Sequence, residues 1–211
     1  MKSGTGNPAR ARQAYAELLL HLAPDPPPWP ETRLVPAAVL MLVVGQARPA
    51  FLMTVRGEGL REHPGETAFP GGRVDPGDAS PLETGLRELN EEVGIKSHDI
   101  HFIGYLHVIP IFSSGYGVIP VVARFEGDWE RSIQVPNFEV SRVFLLPLEI
   151  ALDRTRYVFK TVPGSRSMVP ILDWEDGPPV WGATARILMS AIEGAPDVDG
   201  RDETPPVTLN P

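Results

Sequence analysis

Twenty-four prolines run through this chain of 211 residues, and they leave one long gap, Leu82 to Ile109. An average globular chain holds about 5% proline, so the share here is about doubled. Proline has no amide proton and breaks helix interiors and central strands. Every helix must therefore fit between breaks. Long coiled coils, helical repeats and helical bundles are excluded.

The segments between the breaks predict a mixed α/β domain. Pro8 to Leu22 reads as a short amphipathic helix with Tyr15, Leu18, Leu19 and Leu22 on one side. Pro24 to Pro30 is an extended, proline-dense linker. Residues 34–45 and 50–56 are apolar, β-rich runs joined by a turn near Gln46–Pro49, which predicts a hairpin. Residues 57–80 hold nine glycines and prolines with no clear period, and a loop of this length in a compact domain is usually functional. Ser80-Pro81-Leu82-Glu83 is a capping box with proline at the first helical position, so a helix is expected over 81–93, stopping at Gly94. Strand-like runs follow at 100–109, 116–126, 140–147, 155–161 and 167–173, and Val180 to Ile192 reads as a closing helix. The expected organisation is an N-terminal helix and linker over 1–30, a folded domain over 31–193, and a polar tail over 194–211 that is expected to be disordered.

Composition narrows the function. There are no cysteines, which removes disulfides, thiolate zinc sites and cysteine nucleophiles and suits a cytoplasmic protein. A net charge of −8 argues against a nucleic-acid partner, which needs a basic footprint. No apolar run reaches the roughly 18 residues of a membrane span, so no membrane partner is expected. The basic first residues lack the apolar block of a secretory signal.

The helix over 81–93 carries the chemistry. Leu82, Leu86, Leu89 and Val93 form its apolar stripe. Glu88, Glu91 and Glu92 fall at i, i+3 and i+4, within an arc of roughly 100° on another face. Three carboxylates this close repel one another, and the helix contains no lysine to interleave them. A divalent cation with a taste for hard oxygen ligands, Mg²⁺ or Mn²⁺, would relieve the repulsion. A solvated acidic face is the plain alternative, but Gly71-Gly72 just upstream lets backbone approach a ligand closely. A glycine-rich loop meeting an acidic helix suits a metal–diphosphate site. Arg87 reads as an orienting partner that reaches Glu83 or Glu91 at i±4, since a guanidinium cannot act as a base.

These residues resemble a known family. Gly72 to Ile95 is similar to the Nudix box, and Arg87-Glu88-Leu89-Asn90-Glu91-Glu92-Val93-Gly94-Ile95 matches its second half throughout. The first half departs: Asp78 stands where the family has Glu, and one extra residue separates it from Arg87, so no metal role is carried onto Asp78. Upstream, Leu52-Met53-Thr54-Val55-Arg56-Gly57, then Arg61, Gly65 and Phe69-Pro70-Gly71-Gly72, resembles the coenzyme A pyrophosphatase signature, with Met53 for Leu and Gly57 for Ser or Ala. Trp181-Gly182-Ala183-Thr184-Ala185 is similar to the closing helix of the same branch.

The resemblance implies an α/β/α sandwich around a mixed sheet. It implies metal-dependent hydrolysis of the diphosphate bond of coenzyme A or a derivative, giving adenosine 3′,5′-bisphosphate and 4′-phosphopantetheine. Glu88, Glu91 and Glu92 with the Gly72 carbonyl would hold the metal; these glutamates and Arg87 form the catalytic set. Arg56, Arg61, Gly65, Phe69 and Gly71 would bind substrate, the arginines through phosphate. The partner is then a small nucleotide-type molecule, and a homodimer is left open. Two alternatives stand beside it: the same chemistry on ADP-ribose, a dinucleoside polyphosphate or an oxidised nucleotide, or a nucleotide-binding module without catalysis. The general base is open between Glu88 and Glu92 on the helix and the loop-end carboxylates Glu66 and Glu139. His63 sits in the signature loop, His98 and His101 read as exposed, and Trp129 and Trp174 as packing residues.

Overall fold

A computed structural model describes residues 7–29, 33–135, 138–161 and 168–194. Its elements in chain order are α1 (Pro8–Leu19), β1 (Val35–Val44), β2 (Ala50–Arg56), β3 (Thr67–Ala68), β4 (Gly71–Arg73), α2 (Pro81–Val93), β5 (Ile100–Tyr105), β6 (Ile109–Ile111), β7 (Tyr116–Phe125), α3 (Trp129–Ser132), β8 (Val140–Pro147), α4 (Leu148–Ala151), β9 (Tyr157–Thr161), β10 (Met168–Leu172), β11 (Val180–Trp181) and α5 (Gly182–Glu193). Among the described residues no helix is long and apolar enough to cross a membrane.

β1 is the spine. It pairs in parallel with β7 from Val35↔Tyr116 to Val43↔Arg124, and antiparallel with β2 and β4 on its other edge. The principal sheet runs β3-β2-β1-β7-β5, with β8 on β2 and β6 on β7. Its single parallel pair makes it mixed. A central strand covered on both faces reads as a continuous apolar run, and β1 does so from Ala37 to Val44. Its alternate residues feed two cores. Met41 and Val43 pack with Phe51, Met53, Leu18, Ala151 and Leu188 on the face covered by α1, α4 and α5. Leu40, Leu42 and Val44 pack with Leu89, Val93 and Ile119 on the face covered by α2. This is the expected α/β/α sandwich. A second small antiparallel sheet, β11-β10-β9, was not legible as a separate unit.

Several boundaries differ from expectation. α1 ends at Leu19, which is 41% exposed; of the expected side Leu18 is buried and Tyr15 and Leu22 pack partly buried, with Ala11 and Ala14 buried beside them. The run 100–109 divides into β5 and β6 at residues 106–108, and β5 itself carries a register shift between Phe102 and Gly104. The closing helix starts at Gly182, because Val180 and Trp181 pair with β10. The long loop 57–80 contains β3 and β4. The linker is held at one end by paired backbone bonds between Ala23 and Tyr105. The tail beyond Gly194 lies outside the described residues.

α2 has the expected bounds because its local signals agree. Ser80 Oγ accepts the Glu83 amide at 3.2 Å. Glu83 reaches back to the Ala79 amide at 2.8 Å, one residue before the box position. Gly94 closes the helix in the left-handed region at φ 74°, and a Cβ there would lie 2.5 Å from the Gln134 carbonyl oxygen. Left-handed backbone costs an ordinary residue roughly 1–2 kcal/mol. Gly94→Ala should therefore lower unfolding free energy by at least about 1 kcal/mol, read as a smaller midpoint in urea denaturation with unchanged slope.

Candidate active site

The face of α2 beneath the sheet sets how its glutamates are presented. Leu89 and Val93 are fully buried, and Gly85 rides against Leu40 of β1. With that stripe fixed, the helical phase grades the three carboxylates by depth. The Glu91 side chain is 51% exposed, Glu88 16%, and Glu92 as a residue only 8%.

β4 runs beside them. Gly72 pairs with Ala38 and Gly71 with Val39. A Cβ on Gly72 would overlap the Glu88 carboxylate, and one on Gly71 would overlap the Ala38 carbonyl. Both positions need glycine for close approach. The Gly71 backbone amide also bonds the Glu92 carboxylate.

Glu92 is the electrostatic centre. Burial, then the Glu88 and Glu139 charges, push its carboxyl up to about 8, against a smaller opposing pull from Arg56. Its Oε2 is buried with no hydrogen-bond partner among the described residues. Burial also raises the Glu88 carboxyl, although Arg87 opposes this. A buried carboxylate oxygen without a donor is costly unless a cation meets it.

Arg87 organises the rim. Its Nη1 donates to Glu88 Oε1 at 2.9 Å and Glu91 Oε2 at 3.2 Å; its Nη2 donates to the Arg73 carbonyl at 2.9 Å and Asp78 Oδ2 at 3.1 Å. Of the two partners expected at i±4, it takes Glu91; Glu83 is engaged at the helix cap. Asp78 also accepts Thr84 Oγ1 at 2.9 Å and the Asp75 amide at 3.0 Å. The Arg87 bond first, with these others, holds the Asp78 carboxyl down at about 2. Asp78 thus acts as the anchor of Arg87.

The structure places the substrate-loop residues unevenly. Arg56, at the end of β2, acts on Glu92 through space, and its Nε is buried without a partner among the described residues. Gly65 takes φ 71°, and its amide bonds the Arg56 carbonyl at 3.1 Å, so the loop base is fastened to the same residue. Arg61 is exposed in that loop. Phe69 does not line the site: it is 2% exposed and packs edge-on against Phe51 in the core on the other face. His63 lies beside Glu66 at 3.1 Å, while His98 and His101 form exposed pairs with Asp99 and Glu126. Trp129 packs in the α2-side core, and Trp174 packs near Phe144 with its Nε1 on the Pro178 carbonyl. Thr84, which donates to Asp78, and the Arg73 carbonyl, which accepts from Arg87, were missed. Asp78 carried a signal, its place in the box; a lone helical threonine carried none.

All the donors offered are hard oxygens, which fits Mg²⁺ or Mn²⁺ rather than a softer metal. Among the described residues no three His, Asp or Glu side chains already converge closely enough to hold an ion. Arg87 already engages Glu88 and Glu91, so the fit rests on Glu92, whose Oε2 has no partner among the described residues. Without a cation, Glu92 takes up a proton on folding. Its contribution is intact below its unfolded value near pH 4.5 and declines as pH rises through about 8. In chelator, Glu92→Gln should match the wild type near pH 4 and exceed it by a few kcal/mol, in order of magnitude, at pH 9. Denaturant titrations at the two pH values measure the gap; an equal gap at both contradicts a raised carboxyl.

The family model described as NUDIX domain matches residues 34–167. The chain is 38% identical over 159 residues to the uncharacterized Nudix hydrolase NudL of Yersinia enterocolitica, spanning 72% of this chain and 77% of that one. It is 37% identical over 158 residues to the same-named protein of Yersinia pestis strain Pestoides F, spanning 72% and 75%. Among solved structures, a NUDIX hydrolase from Alicyclobacillus acidocaldarius aligns with TM-score 0.48 and 17% identity over 78% of this chain and 93% of that one. A C. elegans Ap4A hydrolase aligns with TM-score 0.44 and 22% identity over 56% and 84%.

Proposed function

Because the chain belongs to the NUDIX domain family and is a Nudix hydrolase, we propose that its pyrophosphohydrolase substrate is coenzyme A or a coenzyme A derivative. The observation that carries the catalytic part is the buried Glu92 carboxylate with its unpaired oxygen, flanked by Glu88 and by Arg56. The substrate part rests on the run Leu52 to Gly72, whose resemblance to the coenzyme A signature includes that same Arg56.

In this reading Glu88, Glu91, Glu92 and the Gly72 carbonyl hold Mg²⁺ or Mn²⁺. When bound, such an ion neutralises diphosphate charge and makes water a stronger nucleophile near neutral pH. The protein does the rest by positioning. Arg87 keeps Glu88 and Glu91 at fixed angles while Asp78 and the Arg73 carbonyl keep Arg87 itself in place. Arg56 and Arg61 supply guanidinium groups for phosphate oxygens, including the 3′-phosphate. Gly65 shapes the base of the loop that carries Arg61. Gly71 brings its amide to Glu92, and Phe69, two residues earlier, anchors that segment in the core. Attack of water on a diphosphate phosphorus breaks one P–O bond and releases adenosine 3′,5′-bisphosphate and 4′-phosphopantetheine.

The test is coenzyme A turnover with Mg²⁺ or Mn²⁺ in ¹⁸O water, with products read by mass spectrometry beside ADP-ribose and a dinucleoside tetraphosphate. The expected result is one ¹⁸O in one phosphate-bearing product and the highest kcat/KM for coenzyme A. Preference for a substrate lacking pantetheine assigns the enzyme elsewhere among nucleoside diphosphate derivatives. Glu92→Gln should lower kcat by at least about a hundredfold, the lower range for a proton-transfer or charge-stabilising group. Asp78→Asn should lower it less, about tenfold, because Arg87 keeps its other partners. Removing the 3′-phosphate should cost wild type about tenfold in kcat/KM and Arg61→Ala much less, if Arg61 reads that group.

A further inference from the structure

Among the described residues one side chain other than glycine takes a positive φ, His63 at 56°. Left-handed backbone is costly for a residue with a Cβ, and the proline that follows narrows the choice further. Such strain persists only where the surrounding structure imposes it, and it concentrates at ligand sites.

A turn followed by a bulge imposes it here. The Glu66 amide donates to the His63 carbonyl at 3.3 Å and closes His63-Pro64-Gly65-Glu66, with Gly65 at φ 71°. Proline and then a left-handed glycine suit the two central positions of a type II turn. The Arg56 amide donates to the Glu66 carbonyl at 2.9 Å, and the Gly65 amide to the Arg56 carbonyl at 3.1 Å. Two residues thus oppose one, with glycine first, which is the G1 form of bulge. Beyond it β2 and β3 pair in register, Val55 with Thr67 and Thr54 with Ala68.

The bulge decides which face the turn serves. Val55 packs in the core under α1 and α5. Successive strand side chains alternate, so Arg56 turns to the α2 face, and Glu66 opposite it stands on that same face. His63 Nδ1 meets Glu66 Oε1 at 3.1 Å, with the imidazole side chain 53% exposed. The pair also masks a charge. Residues 57–66 carry Glu58, Glu62 and Glu66 against Arg61, and an anion approaching Arg56 would otherwise meet the Glu66 carboxylate bare.

We propose that His63 is a substrate-contacting residue, whose imidazolium holds Glu66 through Nδ1 and donates from Nε2 to a phosphate oxygen of the substrate. Only the form with both nitrogens protonated can donate twice. The strained turn sets the ring in place before the substrate arrives, which spares ordering cost on binding. The inference rests on the reading of a phosphate-bearing substrate over the loop 57–66.

Steady-state kinetics on coenzyme A with Mn²⁺, and urea denaturation, test it in wild type, His63→Ala, His63→Gly and Glu66→Gln. Both His63 variants delete the imidazole; alanine keeps the left-handed strain and glycine relieves it. KM should rise about tenfold in both, with kcat within about twofold of wild type. His63→Gly should nevertheless unfold at a higher urea midpoint than His63→Ala. Glu66→Gln keeps the ring but not its charged partner, and should raise KM by less. A KM effect that shrinks on 3′-dephospho-coenzyme A assigns the contact to the 3′-phosphate; one that persists assigns it to the diphosphate. Wild-type KM in both His63 variants overturns the proposal. So does a KM raised in His63→Ala and restored in His63→Gly, which reduces the residue to a shaper of the turn. Absence of coenzyme A turnover by the wild type removes the substrate reading first, and this contact with it.

Discussion

One guanidinium ties the polar face of α2 to the loop and strand beside it. Arg87 spans the Arg73 carbonyl on β4, Asp78 in the preceding loop, and Glu88 and Glu91 on its own helix. Its planar fork is suited to several acceptors at once. Without it, two like charges a turn apart would be held only by helix propensity, and the loop from Arg73 to Ser80 would keep only its Thr84 and helix-cap bonds to α2. Asp78 completes the arrangement. It meets Arg87 from the far side and is itself held by Thr84 and the Asp75 amide, so the arginine has little freedom to swing toward solvent.

Depth divides the labour among the carboxylates. Glu91 is at the surface and Glu88 is mostly covered, while Glu92 faces the sheet, where the two glycines of β4 leave no side chain between. The resulting oxygen lacks a donor among the described residues, and buried groups left unsatisfied in this way concentrate at functional sites.

Much of this was legible in the sequence, for local reasons. α2 was bounded correctly because Ser80, Pro81 and Gly94 act through their immediate neighbours, and β1 because a strand covered on both faces must be apolar throughout. The box around Arg87 fixed the chemistry by residue type and spacing. What stayed hidden depends on partners distant in the chain. β3 and β4 are too short to carry a period, and exist because β2 and β1 offer edges. Phe69 sits in a segment that reads as substrate loop, but its ring turns into the opposite core. Glu91 and Glu92 are adjacent and chemically identical; only the placement of the helix on the sheet makes one exposed and the other buried.

The way β1 shares one edge between two partners has a further result. β4 occupies Ala37 to Val39 and β2 occupies Val43 and Val44, with the Leu40 amide bonded to the Pro70 carbonyl between them. The sheet forks there. The segment 57–66 leaves and re-enters at one prong, where its two ends meet through the Arg56–Glu66 and Gly65–Arg56 backbone bonds. The carboxylates hang from the other prong. A loop closed at its base in this way can lengthen, shorten or change its side chains without shifting the register of β4 or the phase of α2. The loop over 57–66 and the carboxylate-bearing helix are thus mechanically separable parts of one sheet, free to diverge at different rates.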